Sequence, residues 1–170
     1  MMNDWAQIIV NALKESKISF LSGVPDSSLS KVINLLEDDD YFTVVPATRE
    51  EEAIGIAAGA YVSGVRSAVY MQSSGVGNSV NALASLCLPA RIPIPMLINL
   101  RGEVGEFNIS QVFMGRSTPK IFDEFNIATY IIDSDYKLKE KFIGALKLCY
   151  ASHQPLAMCL TPLLHGGKNA

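Results

Sequence analysis

The segment Thr48-Arg49-Glu50-Glu51-Glu52 sets three consecutive carboxylates just ahead of a run of small residues. Acidic groups in a first helical turn suit the helix dipole. Thr48, with Glu51 three residues on, reads as a capping box, which gives Glu51 a structural task. Nothing comparable explains Ala53, Gly55, Ala57, Ala58, Gly59 and Ala60, which leave the helix nearly without side chains. Each interior glycine costs about 1 kcal/mol relative to alanine. Such a helix is expected where another backbone or a ligand comes close. A carboxylate at its opening can then be held beside a bound group.

Three further segments carry chemistry-bearing residues. Gly23-Val24-Pro25-Asp26-Ser27 reads as a tight turn in which Asp26 or Ser27 caps the next helix. Gln72-Ser73-Ser74-Gly75-Val76-Gly77-Asn78 reads as a Gly-x-Gly turn after a strand, with backbone amides turned to a ligand. The dinucleotide fingerprint wants a glycine at position 80, which is Val80, so a nicotinamide or flavin site is not expected. Arg101-Gly102-Glu103-Val104-Gly105-Glu106, continuing to Gln111, is either a surface loop with routine ion pairs or an anion-binding loop. In the second case Arg101 offers a bidentate donor set.

These segments need a scaffold. Apolar residues recur at helical spacing over 5–13, 29–36, 50–63, 78–88, 118–125 and 136–150. Short apolar runs at 18–21, 42–45, 67–71, 94–100, 128–132 and 155–160 read as strands. Six strands separated by helices predict a doubly wound, mainly parallel α/β sheet flanked by helices. The four segments follow predicted strands, at the carboxyl ends where open α/β sheets bind ligands. The longest irregular stretch is expected at 101–117. Residues 1–164 read as one domain and 165–170 as a fraying tail.

Composition narrows the function. The chain has 170 residues, 49% hydrophobic and 18% charged, with net charge −3. That suits one well-filled core and gives no basic surface for nucleic acid. No apolar run approaches the roughly 20 residues of a membrane span, and the first residues do not resemble a signal peptide, so a cytoplasmic location is expected. Cys87, Cys149 and Cys159 are far apart and read as small core residues. His153 and His165 are the only histidines, which leaves little material for a histidine-based catalytic network.

In combination these segments resemble the thiamine-diphosphate-dependent decarboxylases. The likeness is to the α subunit of sulfopyruvate decarboxylases and to the N-terminal half of phosphonopyruvate decarboxylases. It is carried by Gly-Val-Pro-x-Ser at 23–27, Glu-x-x-Ala-Ile-Gly-x-Ala-x-Gly at 50–59, Met-Gln-x-Ser-Gly-x-Gly-Asn at 71–78 and Arg-Gly-x-x-Gly-Glu at 101–106. The resemblance implies a pyrimidine-binding domain in which Glu50 is the catalytic glutamate. Glu50 has alanine three and seven residues on and glycine nine on; Glu51 and Glu52 do not. It implies that Glu50 hydrogen-bonds the ring nitrogen of the cofactor's aminopyrimidine. Pro25, Gln72, Ser74, Gly75, Gly77 and Asn78 would complete the cofactor site, with Ser27, Arg101 and Gln111 facing a 2-oxo acid.

The resemblance also implies a partner. Enzymes of this class hold the diphosphate through Mg²⁺ with a Gly-Asp-Gly segment, and this sequence has none. A diphosphate-binding β subunit carrying that motif and the Mg²⁺ ligands is therefore expected, with thiamine diphosphate shared between the two chains of a hetero-oligomer. Phosphonopyruvate decarboxylases tend to carry Pro-Gln-His after Arg-Gly. Here Gln111 is followed by Val112 and Phe113, which favours a sulfopyruvate-type substrate. The alternatives are a non-catalytic regulatory or interaction subunit of the same fold, and a carboligase subunit acting on another 2-oxo acid.

Overall fold

Strand-like and helix-like runs alternate into a single sheet with helices on both faces. The computed structural model describes residues 4–166. The order is α1 (Trp5–Glu15), β1 (Phe20–Gly23), α2 (Ser30–Glu37), β2 (Thr43–Pro46), α3 (Glu50–Val62), β3 (Ser67–Gln72) and α4 (Ser73–Ala82). A π-helical turn, Leu83–Cys87, extends α4. Then come β4 (Pro95–Asn99), α5 (Ile109–Glu124), β5 (Ala128–Ile132), α6 (Leu138–Ser152), β6 (Leu156–Leu160) and α7 (Pro162–His165). The strands lie in the order β2-β1-β3-β4-β6-β5, and every neighbouring pair is parallel.

Successive strand residues point to opposite faces, and the two cores follow that rule. Ala68 and Tyr70 of β3 pack with α1, α2 and α6, whereas Val69 and Met71 pack with α3, α4 and α5. Strands β4 and β6 are buried throughout, as strands covered on both faces must be. Cys87, Cys149 and Cys159 are buried, unpaired thiols within these cores. Burial pushes the Cys87 thiol up to about 11 and Cys159 to about 12, so they act as small apolar side chains.

From β1 the chain runs outward to β2, then returns to place β3 on the other side of β1. That reversal opens a crevice between the carboxyl ends of β1 and β3, the place where sheets of this kind bind ligands. The segments 23–27 and 72–78 meet there.

Three expectations change. Residues 73–78 are not a Gly-x-Gly turn: α4 begins at Ser73, directly after β3, so Gly75 and Gly77 lie inside a helix. The irregular stretch after β4 is short, because α5 starts at Ile109 with Asn108 as its cap; Asn108 Oδ1 accepts the Ser110 N–H at 3.1 Å. The third change concerns the start of the tail. His165 closes α7 and lies against Trp5, with 6.2 Å between ring centroids, so it belongs to the packed domain. Its ring gains burial at the end of the sheet, which the pattern of a short polar tail does not reveal. The rest of the expected tail, 167–170, lies outside the described residues.

Candidate active site

The centre of the site is Glu50. It is the first residue of α3, and α3 packs against α4 across the crevice. Its Oε2 accepts a hydrogen bond from Asn78 Nδ2 at 3.0 Å. The rest of the carboxylate lies over Gly75: a β-carbon added there would overlap Glu50 Cγ, Cδ and Oε1. Glycine at 75 is thus the space that the Glu50 carboxylate occupies. Folding brings Gly75 and Asn78 of α4 to Glu50 of α3 as one arrangement, with Oε1 unoccupied by any hydrogen bond among the described residues.

The neighbouring carboxylates divide differently from the capping-box expectation. Glu52, not Glu51, reaches back, its Oε2 accepting the Thr48 N–H at 2.8 Å. Glu51 pairs with Arg49, 2.9 Å away. The helix begins at Glu50 with Arg49 at its N-cap, one residue later than a Thr48 cap requires. The third helical residue, the one able to fold back, is therefore Glu52.

A second group lies at the base of the crevice. Asp26, 7% exposed, accepts from three donors: the Ser28 N–H at 2.7 Å, Asn99 Nδ2 at 2.9 Å and Gln72 Nε2 at 2.8 Å. Asn99 Oδ1 lies 3.2 Å from His165 Nε2. Asp26 therefore does more than cap a turn, and Asn99 and His165 are members of the site region that the sequence did not offer. Asn99 left a faint signal, a carboxamide ending an apolar strand. His165 left none, because only α7 brings it back. Ser74 Oγ sits 3.4 Å from Gln72 Oε1.

The remaining candidates are dispersed. Pro25 and Ser27 are exposed on the β1–α2 loop. Gly77 is exposed, with Met114 of α5 beside it. Gln111, in the first turn of α5, has its Oε1 buried without a hydrogen-bond partner. No hydrogen bond among the described residues joins Pro25, Ser27, Gly77 or Gln111 to Glu50.

Arg101 takes up two of its guanidinium nitrogens within its own loop. Its side chain is buried, and its Nε and Nη2 donate to Glu106, at 2.5 and 2.7 Å. Glu106 also accepts the N–H groups of Gly102, Phe107 and Asn108. Arg101 thus braces the β4–α5 loop through Nε and Nη2, and no hydrogen bond among the described residues uses its Nη1. The close approach of Gly115 to the Arg101 carbonyl, where a β-carbon would collide, locks α5 against the same residue.

The Arg101 guanidinium holds the Glu106 carboxyl down to about 2, from an ordinary 4.5, with the backbone N–H groups of Asn108 and Gly102 adding to the effect. A carboxyl with a lowered folded-state value contributes stability above its unfolded value. That contribution is lost as pH falls from about 4.5 towards 2. Replacing Glu106 by Gln leaves Arg101 buried and unpaired. A loss of about 3–5 kcal/mol is expected, with a melting temperature lower by on the order of 10 °C. Thermal melts of both forms between about pH 7 and 3 check this. The difference should shrink below pH 4.5, and a constant difference would contradict the role given to the pair.

Residues 3–102 match the model of the thiamine pyrophosphate enzyme, N-terminal TPP binding domain. The chain belongs to the thiamine pyrophosphate enzymes. It is 47% identical over 122 residues to the sulfopyruvate decarboxylase subunit alpha of Methanocaldococcus jannaschii, covering 72% of each chain. It is 36% identical over 161 residues to the sulfopyruvate decarboxylase subunit alpha of Methanococcus maripaludis, covering 93% of this chain and 95% of that one. Among solved structures it superposes on 2-oxoglutarate:ferredoxin oxidoreductase from Magnetococcus marinus with a TM-score of 0.73 at 12% identity. That match covers 95% of this chain and 29% of the other, and it speaks for the fold alone. The expected family and the parallel α/β architecture of this thiamine pyrophosphate domain are thereby borne out.

Among the described residues no helix is long and apolar enough to cross a membrane. No group of three or more His, Cys, Asp or Glu among them is placed to hold a metal ion.

Proposed function

We infer that this chain is the pyrimidine-binding subunit of a two-subunit decarboxylase acting on 3-sulfo-2-oxopropanoate, with the phosphonate analogue as the related substrate. The observation that carries this reading is the Glu50 carboxylate, fixed by Asn78 over Gly75 with Oε1 open. A carboxylate so placed suits a protonated ring nitrogen, and the donor set therefore fits an aminopyrimidine. Thiamine diphosphate, when bound, supplies the electron-accepting thiazolium that allows a 2-oxo acid to lose carbon dioxide. Glu50 would hold the proton at the pyrimidine ring nitrogen. Gly75 would keep the space that lets Glu50 do so, while Gln72 at the end of β3 and Ser74 and Gly77 on the opening turns of α4, with Pro25 opposite, would line the ring.

For the substrate's second anion, Arg116 joins Arg101 as a candidate. Arg116 is exposed and bonded through Nε to the Gly102 carbonyl at 3.3 Å. Its terminal nitrogens are open beside the loop that leads to Gln111. Ser27 completes the set of substrate-facing candidates.

The relatives named subunit alpha support a partner subunit, which would bring the Gly-Asp-Gly segment and the Mg²⁺ ligands. Two surfaces suit it. On α3, Gly55 and Gly59 are exposed with no atom within 4 Å of an added β-carbon, and Val62 is 70% exposed. On the β4–α5 loop and the opening turns of α5, Val104, Phe107, Ile109 and Phe113 are each at least 59% exposed. Apolar exposure of this extent beside a site is characteristic of an interface. A bare helix lets a partner backbone come close.

Mixing the two purified subunits with thiamine diphosphate and Mg²⁺ should release carbon dioxide from 3-sulfo-2-oxopropanoate, and either subunit alone should not. Gly59→Trp should abolish co-purification with the partner while leaving this chain folded. Full activity of the partner by itself would overturn the proposal.

A further inference from the structure

The buried carboxylate of Asp26 controls more than its own turn. An ionised carboxylate only accepts hydrogen bonds. Asn99 must therefore turn its Nδ2 to Asp26, which leaves Asn99 Oδ1 facing His165 Nε2 at 3.2 Å. His165 Nε2 must then carry the proton. Burial lowers the His165 pKa, which favours the uncharged ring. By the same logic Gln72 must turn its Nε2 to Asp26 at 2.8 Å. Its carbonyl oxygen is thereby fixed away from Asp26, towards the opening turn of α4, where Ser74 Oγ lies at 3.4 Å.

We propose that Asp26 is a positioning residue that sets the polarity of the site, holding the Gln72 carboxamide so that it presents an acceptor to the donor groups of the bound cofactor. The inference rests on the reading of Gln72 as part of a thiamine diphosphate site. Asn99 and His165 form the other arm of the same arrangement and tie the last helix of the domain to it.

The geometry makes a sharp distinction possible. Asp26 Oδ1 receives the Ser28 backbone N–H at 2.7 Å and Asn99 Nδ2, whereas Oδ2 receives Gln72. A backbone N–H cannot reverse. In Asp26→Asn the amide oxygen must stay on the Ser28 side, so the new NH₂ faces Gln72. Gln72 can keep its hydrogen bond only by rotating, which turns its own NH₂ outward. The number of hydrogen bonds is unchanged and Ser74 Oγ can rotate to accept, but the site then presents a donor where it had an acceptor. Gln72→Glu alone puts two carboxylates face to face. The two substitutions together set a donor at position 26 against an acceptor at position 72 and restore the outward acceptor.

The test is the dissociation constant of thiamine diphosphate, measured by titration calorimetry on the complex with the partner subunit, with melting temperatures recorded alongside. Asp26→Asn should weaken binding by about tenfold and change the melting temperature little. Gln72→Glu should weaken binding and lower the melting temperature. The double variant should return to within about threefold of the wild-type affinity. A role confined to bracing the loop predicts no such rescue. Should Asp26→Asn lower the melting temperature, the comparison with the double variant, which carries the same change at position 26, still decides. Wild-type affinity in Asp26→Asn, or a double variant no better than Asp26→Asn, overturns the inference alone. A wild-type complex that binds no thiamine diphosphate overturns the reading of the site and this inference with it.

Discussion

Glu50→Gln should reduce turnover of the assembled enzyme by a factor of about 10²–10⁴, the range for loss of a positioned proton-transfer group. The substitution changes almost nothing else. Glutamine keeps the length of the side chain and an oxygen for Asn78 Nδ2, which lies 3.0 Å from Glu50 Oε2. What is lost is the negative charge and the open acceptor oxygen above Gly75. An amide NH₂ at that position meets a protonated ring nitrogen as donor against donor. The charge also favours the start of α3 through the helix dipole, a contribution of about 0.3–1 kcal/mol at most. Melting temperature should therefore fall by only a few degrees. Activity and stability measured on the same preparation separate the two effects. More than a tenth of wild-type turnover would remove Glu50 from the centre of the site.

Gly75→Ala should separate activity from stability still more clearly. Alanine favours a helix interior over glycine by about 1 kcal/mol, and Gly75 lies in the first turn of α4. On propensity alone the variant should be slightly more stable. The new methyl, however, would overlap Glu50 Cγ, Cδ and Oε1. These atoms are the free end of a flexible side chain, so Glu50 should swing aside rather than the helices part. Its bond to Asn78 would then be lost. Displacing a reacting group by about 1 Å costs on the order of 10² in rate, and a hundredfold drop in kcat with an unchanged melting temperature is expected. Gly144→Ala is the matched control. Gly144 lies in α6 on the other face of the sheet, with nothing within 4 Å of an added β-carbon. It should leave kcat unchanged. If Gly75→Ala kept wild-type kcat, the fit between Glu50 and Gly75 would have no functional meaning.

Much of this molecule was legible in its residue order. The spacing of apolar side chains set six strands between helices, because a strand covered on both faces must be apolar along its length. The resemblance to the family singled out Glu50 from Glu51 and Glu52, by the alanines and glycine at fixed distances after it, and that spacing is local to one helix. The bareness of α3 was equally plain, since glycine and alanine can be counted without a structure. What failed was local too. Ser73–Asn78 looked like a turn because its propensities are those of a turn. It is helical because packing against α3 and α5 overrides propensity, with Thr118 Oγ1 of α5 bonded to the Ser73 carbonyl at 3.2 Å.

The Thr48–Val62 segment shows where the division lies. By itself the sequence determined that an acidic helix start with almost no side chains behind it would follow β2, because helix periodicity and the counts of small residues act within about ten positions. Only the tertiary structure decided which carboxylate does what. Glu52 took the cap because the helix starts at Glu50, and Glu50 was left to lie over Gly75 beside Asn78. The same holds for Arg101, which can offer a bidentate donor pair in any context and here sets Nε and Nη2 on Glu106. Likewise the residues Asp26, Gln72, Asn99 and His165 became one hydrogen-bonded group only where the ends of β1, β3 and β4 and the helix α7 converge. Hydrogen bonds between side chains act over about 3 Å and carry no mark in sequence separation, so folding alone assigns them their partners.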